Sequence, residues 1–339
     1  MLPYALIDLH CDTLTALGPE DRDLLAAFRA PSRREAAAGV LAERVRGVDT
    51  LDLPGRHFSL SAIPEGVRWC QCCAVFVPDG LQKEEAVAYY DLHRDSFYRQ
   101  MEAMQDKVLH CRTAGDIESA WARGKAAAVL TVENGSVLAG RLERIEALAR
   151  DGVRMITLTW NGENEIGSGS VTDHGLSPFG KEAVRELERQ GILIDVSHLN
   201  DRGFEDLLET AKRPFAASHS NARAVCGHRR NLRDDQIQEM VSRGCLIGLN
   251  YYDAFLRDDG RPGTLEDLWR HIEHFLELGA AGCLALGSDA DGADLPPCLD
   301  SPEKFAGLYG YLLDRGLSED QAAGILWKDA LGYFHRQIG

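Results

Sequence analysis

The chain has 339 residues, 45% of them hydrophobic, which is enough to bury a large core and suits one big α/β domain or two ordinary ones. Its 53 acidic against 37 basic residues leave a formal charge of −16, which repels a phosphate backbone and argues against nucleic acid as a partner. The longest apolar runs, such as residues 126–132, are far too short to span a bilayer, and no basic and apolar leader opens the sequence, so a cytoplasmic protein with no membrane partner is expected.

In chain order, the first apolar run, 5–11, ends in alternating polar side chains: Asp8, His10 and Asp12 would project from one side of a strand. Such a stretch looks like half of a metal site, although a hydrogen-bonded His and Asp at a strand end would read the same way. A long connection follows to about Arg68, with a helical piece at Asp21 to Arg29 and an irregular piece around Asp52-Leu53-Pro54-Gly55. The next strand, 69–77, carries Cys70, Cys72 and Cys73. The nine scattered cysteines read as reduced thiols, and these three as buried filler, since free cysteine behaves as a small hydrophobe.

Six more short apolar runs follow at 126–132, 154–159, 192–197, 215–219, 245–250 and 283–288, separated by amphipathic segments. Ser177-Pro178 offers a helix cap followed by proline at the first helical position, and Asn200 caps the segment Asp201 to Lys212. Gly152, Gly191 and Gly244 each stand where a left-handed residue should end a helix before the next strand. Eight such units predict a (β/α)8 TIM barrel of α/β class. No linker or composition shift marks a second domain. The expectation is one barrel domain over 1–339, with an insertion at about 13–68 on the active-site rim and extra helix at about 302–337.

Barrels perform chemistry at the C-terminal ends of their strands. There the first strand offers His10 and Asp12, the third Glu133, and the fourth Trp160 and Asn161; the fifth ends in His198, the sixth in His219 and the eighth in Asp289. Imidazoles and carboxylates gathered at one rim, without thiolate, suit zinc or a similar divalent ion, and a shared carboxylate allows two ions. Two ions sharing a hydroxide would hydrolyse an amide or ester.

The motifs Leu6-Ile7-Asp8-Leu9-His10-Cys11-Asp12, Glu133-Asn134-Gly135, Gly175-Leu176-Ser177-Pro178-Phe179-Gly180, Ile192-Leu193-Ile194-Asp195-Val196-Ser197-His198, Ser218-His219-Ser220-Asn221-Ala222 with Arg229-Arg230-Asn231-Leu232, and Gly287-Ser288-Asp289-Ala290-Asp291-Gly292 follow one another along the chain. In that order they resemble the membrane dipeptidase (renal dipeptidase) family, peptidase family M19, in its soluble bacterial form. The resemblance implies two zinc ions, one on His10 and Asp12 and one on His198 and His219, with Glu133 between them. It also implies hydrolysis of small dipeptides by a metal-bridging hydroxide, L,L and also L,D, since the family tolerates a D-residue on the C-terminal side. Arg230 would grip the free carboxylate as a planar fork of donors, Asp289 would carry the proton, and Asp291 would orient a ligand. Family members are often dimers, so a homodimer is allowed.

Where the vertebrate-type pattern has a histidine, this chain has Trp160, followed by Asn161; both are assigned to the substrate pocket, with Trp160 either donating to substrate or shaping the wall. His174 downstream is a second candidate for the missing imidazole. The competing activities are another amidohydrolase reaction on the same site, such as N-acyl amino acid deacylation or lactam opening, and a non-catalytic metal-binding barrel.

Overall fold

The computed structural model describes residues 2–15 and 50–339. Among them a ring of parallel strands is built from β1 (Ala5–Cys11), β2 (Arg68–Phe76), β4 (Ala126–Glu133), β5 (Met155–Thr157), β6 (Leu193–Asp195), β7 (Ala216–Ala217), β8 (Leu246–Leu249) and β9 (Leu284–Leu286). The ring closes where β1 pairs with both β2 and β9, and where β2 runs beside β4 from Cys70 opposite Ala127 to Phe76 opposite Glu133. All eight predicted strands are therefore staves of one closed barrel. One short strand, β3 (Val108–His110), has no counterpart in the sequence reading. It pairs with Ala126–Ala128 at the start of β4, while β5 takes the same edge further along, at Thr131–Glu133.

The connecting helices are α1 (Glu84–Ala103), α2 (Ala114–Ala122), α3 (Glu143–Arg150), α4 (Pro178–Gln190), α5 (Asp201–Thr210), α6 (Asp234–Ser242), α7 (Asp253–Leu256) and α8 (Leu265–Glu277). Their ends are set by local chemistry. The Ser177 hydroxyl accepts from Gly180 N with Pro178 in the first turn, and the Asn200 side chain accepts from Gly203 N, as the cap signals predict. Gly152, Gly191 and Gly244 all take positive φ, at 79°, 69° and 67°. The helical piece expected at Asp21 to Arg29 lies outside the described residues; Asp52 ends a short 3-10 turn, Thr50–Asp52, rather than a helix or strand.

After β9 come α9 (Pro302–Asp314), α10 (Glu319–Ala323), a π-turn (Gly324–Lys328) and α11 (Asp329–Ile338). Ala330, Leu331, Tyr333, Phe334 and Ile338 of α11 share one buried cluster with Ile7, Cys70, Cys72, Ala127, Val129, Met155, Leu193 and Ala216 from the strands. The C-terminal helix thus covers strand residues away from the catalytic rim. Cys70, Cys72 and Cys73 are free and buried, in keeping with their reading as filler.

The barrel interior leaves no room for a side chain near Ser218. A Cβ at Gly248 or Gly287 would stand 2.0 or 1.8 Å from the Ser218 carbonyl oxygen, so β8 and the end of β9 can approach β7 only as glycine. We expect Gly287→Ala to destabilise the fold by about 1–3 kcal/mol or more, since the overlap is with backbone that cannot rotate away. Chemical denaturation of the variant against the parent chain checks this.

Candidate metal centre

Each predicted rim residue is delivered by the end of its own strand. His10 is the penultimate residue of β1 and Glu133 the last of β4, while His198, His219 and Asp289 stand just beyond β6, β7 and β9. Pairing stops early on these staves because the backbone turns aside: Ser197 N leaves the ladder for the Asp195 carboxylate at 2.9 Å. His198 and Asp289 take left-handed conformations, with φ of 69° and 62°, as do Asn134 (83°) and Asp291 (64°) on the same rim. Non-glycine residues adopt this region at a cost of order 1–3 kcal/mol, and persist there when surrounding contacts over-determine it.

Glu133 is the hub. Its Oε1 lies 2.8 Å from His198 Nε2 and 3.7 Å from His219 Nε2, and its Oε2 lies 3.5 Å from His10 Nε2. His10 Nε2 is also 3.5 Å from Asp12 Oδ2 and 3.9 Å from Asp289 Oδ1. Three overlapping groups result, His10–Asp12–Glu133, Glu133–His198–His219 and His10–His219–Asp289, each with its ligand atoms within 4.8 Å of one another and all buried.

These residues fit a metal on three grounds. His10 Nε2, His219 Nε2 and Asp12 Oδ1 are buried without a hydrogen-bond partner, which is costly for groups that meet neither water nor an ion. Burial, and then the charge of Asp12, pushes the Glu133 carboxyl up to about 8, so this site favours a cation in place of the missing solvation. Burial also holds His198 and His219 well below the usual imidazole value, hence neutral as ligation requires. Burial opposes charge on His10 as well, but Glu133 and Asp12 outweigh it and raise that group.

The neighbouring side chains settle which ring nitrogen is free. Asn161 Oδ1, an acceptor only, stands 3.0 Å from His198 Nδ1, so Nδ1 carries the proton and the Nε2 lone pair faces Glu133. The Ser218 hydroxyl donates to Asp195 Oδ2 at 2.5 Å, which leaves its oxygen to accept from His219 Nδ1 at 2.7 Å. Asp195 collects four donors: the backbone N–H groups of Ser197 and Ser218 and the hydroxyls of Thr157 and Ser218. Asp8 repeats the device. It accepts from Ser288 N at 2.7 Å and Ser288 Oγ at 2.6 Å, with Gln71 Nε2 at 2.8 Å, fixing the residue before Asp289 as Asp195 fixes the residue before His219.

A cleft of ≈ 860 Å³ opens above the cluster and is lined by Asp12, Glu133, Trp160, Asn161, His198, Arg230 and Asp289 among others, a size suited to a small molecule. Arg230 is buried, with Nε lacking a hydrogen-bond partner and its guanidinium 5.2 Å above the Phe255 ring. Burial lowers it to about 10, still charged at neutral pH. Asp289 Oδ2 accepts from Asn250 Nδ2 at 2.9 Å, and burial raises its carboxyl. Trp160 meets the Phe76 ring edge-on at 4.9 Å.

Asp291 lines the cleft beside Asp289 and accepts from Thr13 Oγ1 at 2.6 Å and from His57 N at 2.8 Å, which ties the described ends of the insertion to the rim. His174 is largely exposed and 3.7 Å from Glu163, outside the cleft. The sequence reading missed Asp195, Ser218 and Asn250 as supports. It also missed the Asn134–Asn164 link of 2.9 Å, through which Asn164 fixes the Trp160 loop against the segment after Glu133. The available signal for Asp195 was an acid inside an otherwise apolar strand, which burial would demand be satisfied.

Ser218→Ala removes the acceptor at His219 Nδ1, and metal affinity should fall about 10–100-fold, as for other lost supports of a ligating histidine. Competition titration with a metal-sensitive chelator measures it.

The chain matches the family model for membrane dipeptidase, peptidase family M19, over residues 3–336. It is 31% identical over 255 residues to an uncharacterized protein in the pqqA 5′ region of Klebsiella pneumoniae, covering 70% of this chain and 94% of that one. It is 32% identical over 217 residues to an uncharacterized dipeptidase, C965.12, of Schizosaccharomyces pombe; the match covers 61% of this chain and only about half, 52%, of that relative. The crystal structure of the dipeptidase AC, a metallopeptidase of family M19, superposes with a TM-score of 0.84 at 25% identity, covering 99% of both chains. No helix among the described residues is long and apolar enough to cross a membrane. A full-length family match on a closed barrel whose rim gathers a buried imidazole–carboxylate cluster makes this chain a member of the membrane dipeptidase family, peptidase family M19.

Proposed function

We propose that the protein is a zinc-dependent dipeptidase acting on small dipeptides, L,L and also L,D, that present both a free amine and a free carboxylate. The observation that carries this reading is the placement of a buried arginine fork, Arg230, whose Nε has no hydrogen-bond partner, in the same cleft as the Glu133 cluster. His10 and Asp12 would hold one ion, His198 and His219 a second, and Glu133 would serve both, on a chain that works as one barrel domain. When bound, the ions supply an activated water at neutral pH and polarise the carbonyl under attack.

The chain's own groups do the rest. Arg230 takes the C-terminal carboxylate through two parallel N–H donors, with Phe255 beneath it preventing retreat. This sets the scissile carbonyl over Glu133. Asp289, held at Oδ2 by Asn250, has Oδ1 directed toward His10. Its burial-raised carboxyl takes a proton from the attacking water and returns it to the nitrogen of the leaving amine as the C–N bond breaks. Asn161 and Ser218 keep the two imidazoles from rotating during this exchange.

Metal-reconstituted protein should hydrolyse L,L and L,D dipeptides but not their N-acetylated or C-amidated forms. Cleavage of the acetylated compounds would assign an acyl-removing amidohydrolase instead, and no cleavage of any of them would leave a binding barrel. Asp289→Asn should lower kcat by about 10²–10⁴-fold while metal content is retained. Arg230→Met should cut kcat/KM by roughly two orders of magnitude, mainly through KM, because it strands a carboxylate in a desolvated site. Steady-state kinetics with metal analysis of each variant checks both.

A further inference from the structure

We propose that Phe76, Trp160 and Val171 form the subsite for the side chain of the dipeptide's N-terminal residue, and that the enzyme prefers a bulky apolar group there. This rests on the dipeptidase reading and names the substrate class within it.

The argument begins with the order of staves. Around the closed ring, β2 and β5 flank β4, and the stave opposite β4 is β8. Phe76 ends β2, while Trp160 and Val171 belong to the segment that follows β5. Arg230 follows β7, and Tyr252 and Phe255 follow β8. Phe76, at the end of β2, therefore stands four staves from β7 and across the ring from Arg230, and Trp160 packs against it. Val171, whose N–H donates to the Asn161 carbonyl, lies between this wall and the grip, since its neighbour Ser170 accepts from Arg229 Nη1 at 2.9 Å.

A dipeptide is short: two residues span at most about 7 Å. With its carboxylate on Arg230 and its carbonyl over Glu133, the remaining residue is carried beyond the cluster toward the β2–β5 side. Trp160 stands there, its ring 6.1 Å from that of His198.

The chemistry of that side is apolar and incompletely covered. Trp160 and Phe76 meet edge-on and are only half-buried. Val171 is 60% exposed, one of three large hydrophobic side chains so exposed among the described residues, and the only one of the three that lines the cleft. Wetted apolar surface of this kind gains from an apolar partner, and the opposite wall cannot supply it, because Phe255 is occupied beneath Arg230. Trp160 is held in place from behind. Asp79 Oδ2 accepts from Gly162 N at 2.7 Å, and Asn164 donates to the Leu158 carbonyl at 2.9 Å, so the wall is a fixed surface rather than a mobile flap.

The test is steady-state kinetics of the metal-reconstituted protein on X–Ala dipeptides with X as Gly, Ala, Leu, Phe and Glu, alongside the reversed Ala–X series. We expect kcat/KM to rise about tenfold or more from Gly–Ala to Leu–Ala or Phe–Ala, with Glu–Ala below them, and a weaker dependence in the reversed series. Trp160→Ala should collapse the Leu–Ala to Gly–Ala ratio toward one. Val171→Glu, at an exposed position that tolerates change, should lower the same ratio. Equal rates for every X–Ala, a preference residing in the second residue, or an unchanged ratio in both variants would overturn the subsite while leaving the dipeptidase reading intact. Cleavage of no dipeptide would overturn that reading and this subsite with it.

Discussion

The burial of Glu133 among three histidines is the constraint on which the rest of the rim depends. A buried carboxylate is expensive to ionise, and burial pushes the Glu133 carboxyl up to about 8 in spite of His10 beside it. Two further acids, Asp12 and Asp289, stand close by and add to the repulsion. Of the three imidazoles only His10 offsets it, and burial outweighs that help. A cation among these Nε2 and carboxylate atoms would relieve it, and the unpartnered His10, His219 and Asp12 atoms fit that need.

His198 and His219 are held by Asn161 and Ser218, and the backbone beside the cluster is braced by two buried acids. Asp195 and Asp8 are buried acids with full complements of donors, and each fixes a serine immediately before a rim residue, Ser218 before His219 and Ser288 before Asp289. Both clamps reach from one stave to its neighbour. The barrel closure and the site geometry are therefore enforced by the same hydrogen bonds. The left-handed turns at Asn134, His198, Asp289 and Asp291 are the local strain that this bracing sustains, and they point side chains inward that a regular strand end would send elsewhere.

The cleft is asymmetric, with a cation seated on aromatic support at the β7–β8 side and an apolar wall at the β2–β5 side. Trp160 belongs to that wall, next to Phe76 rather than within the cluster. Asn161, beside it, faces the other way: its carbonyl oxygen orients His198 while Ser170 Oγ donates to it at 3.0 Å.

Much of this was legible in the sequence because its causes are local. The eight apolar runs, the Ser177 and Asn200 caps and the glycines at 152, 191 and 244 are decided by periodicity and by backbone freedom within a few residues, and the staves and helices stand where those signals put them. His10, Glu133, His198, His219 and Asp289 could be gathered in advance, because a barrel places every strand end at one rim. The short β3 was not visible, since three residues, Val108–His110, carry too little pattern and form a strand only because β4 offers an unpaired edge there. Nor could sequence order foretell that Asp291 would clip the insertion to the rim, that Asp8 would brace Ser288 instead of joining the cluster, or that Asn161 would orient an imidazole. Those assignments join residues as far apart as Asp8 and Ser288, and hydrogen-bond geometry across such distances is settled only when the ring has closed.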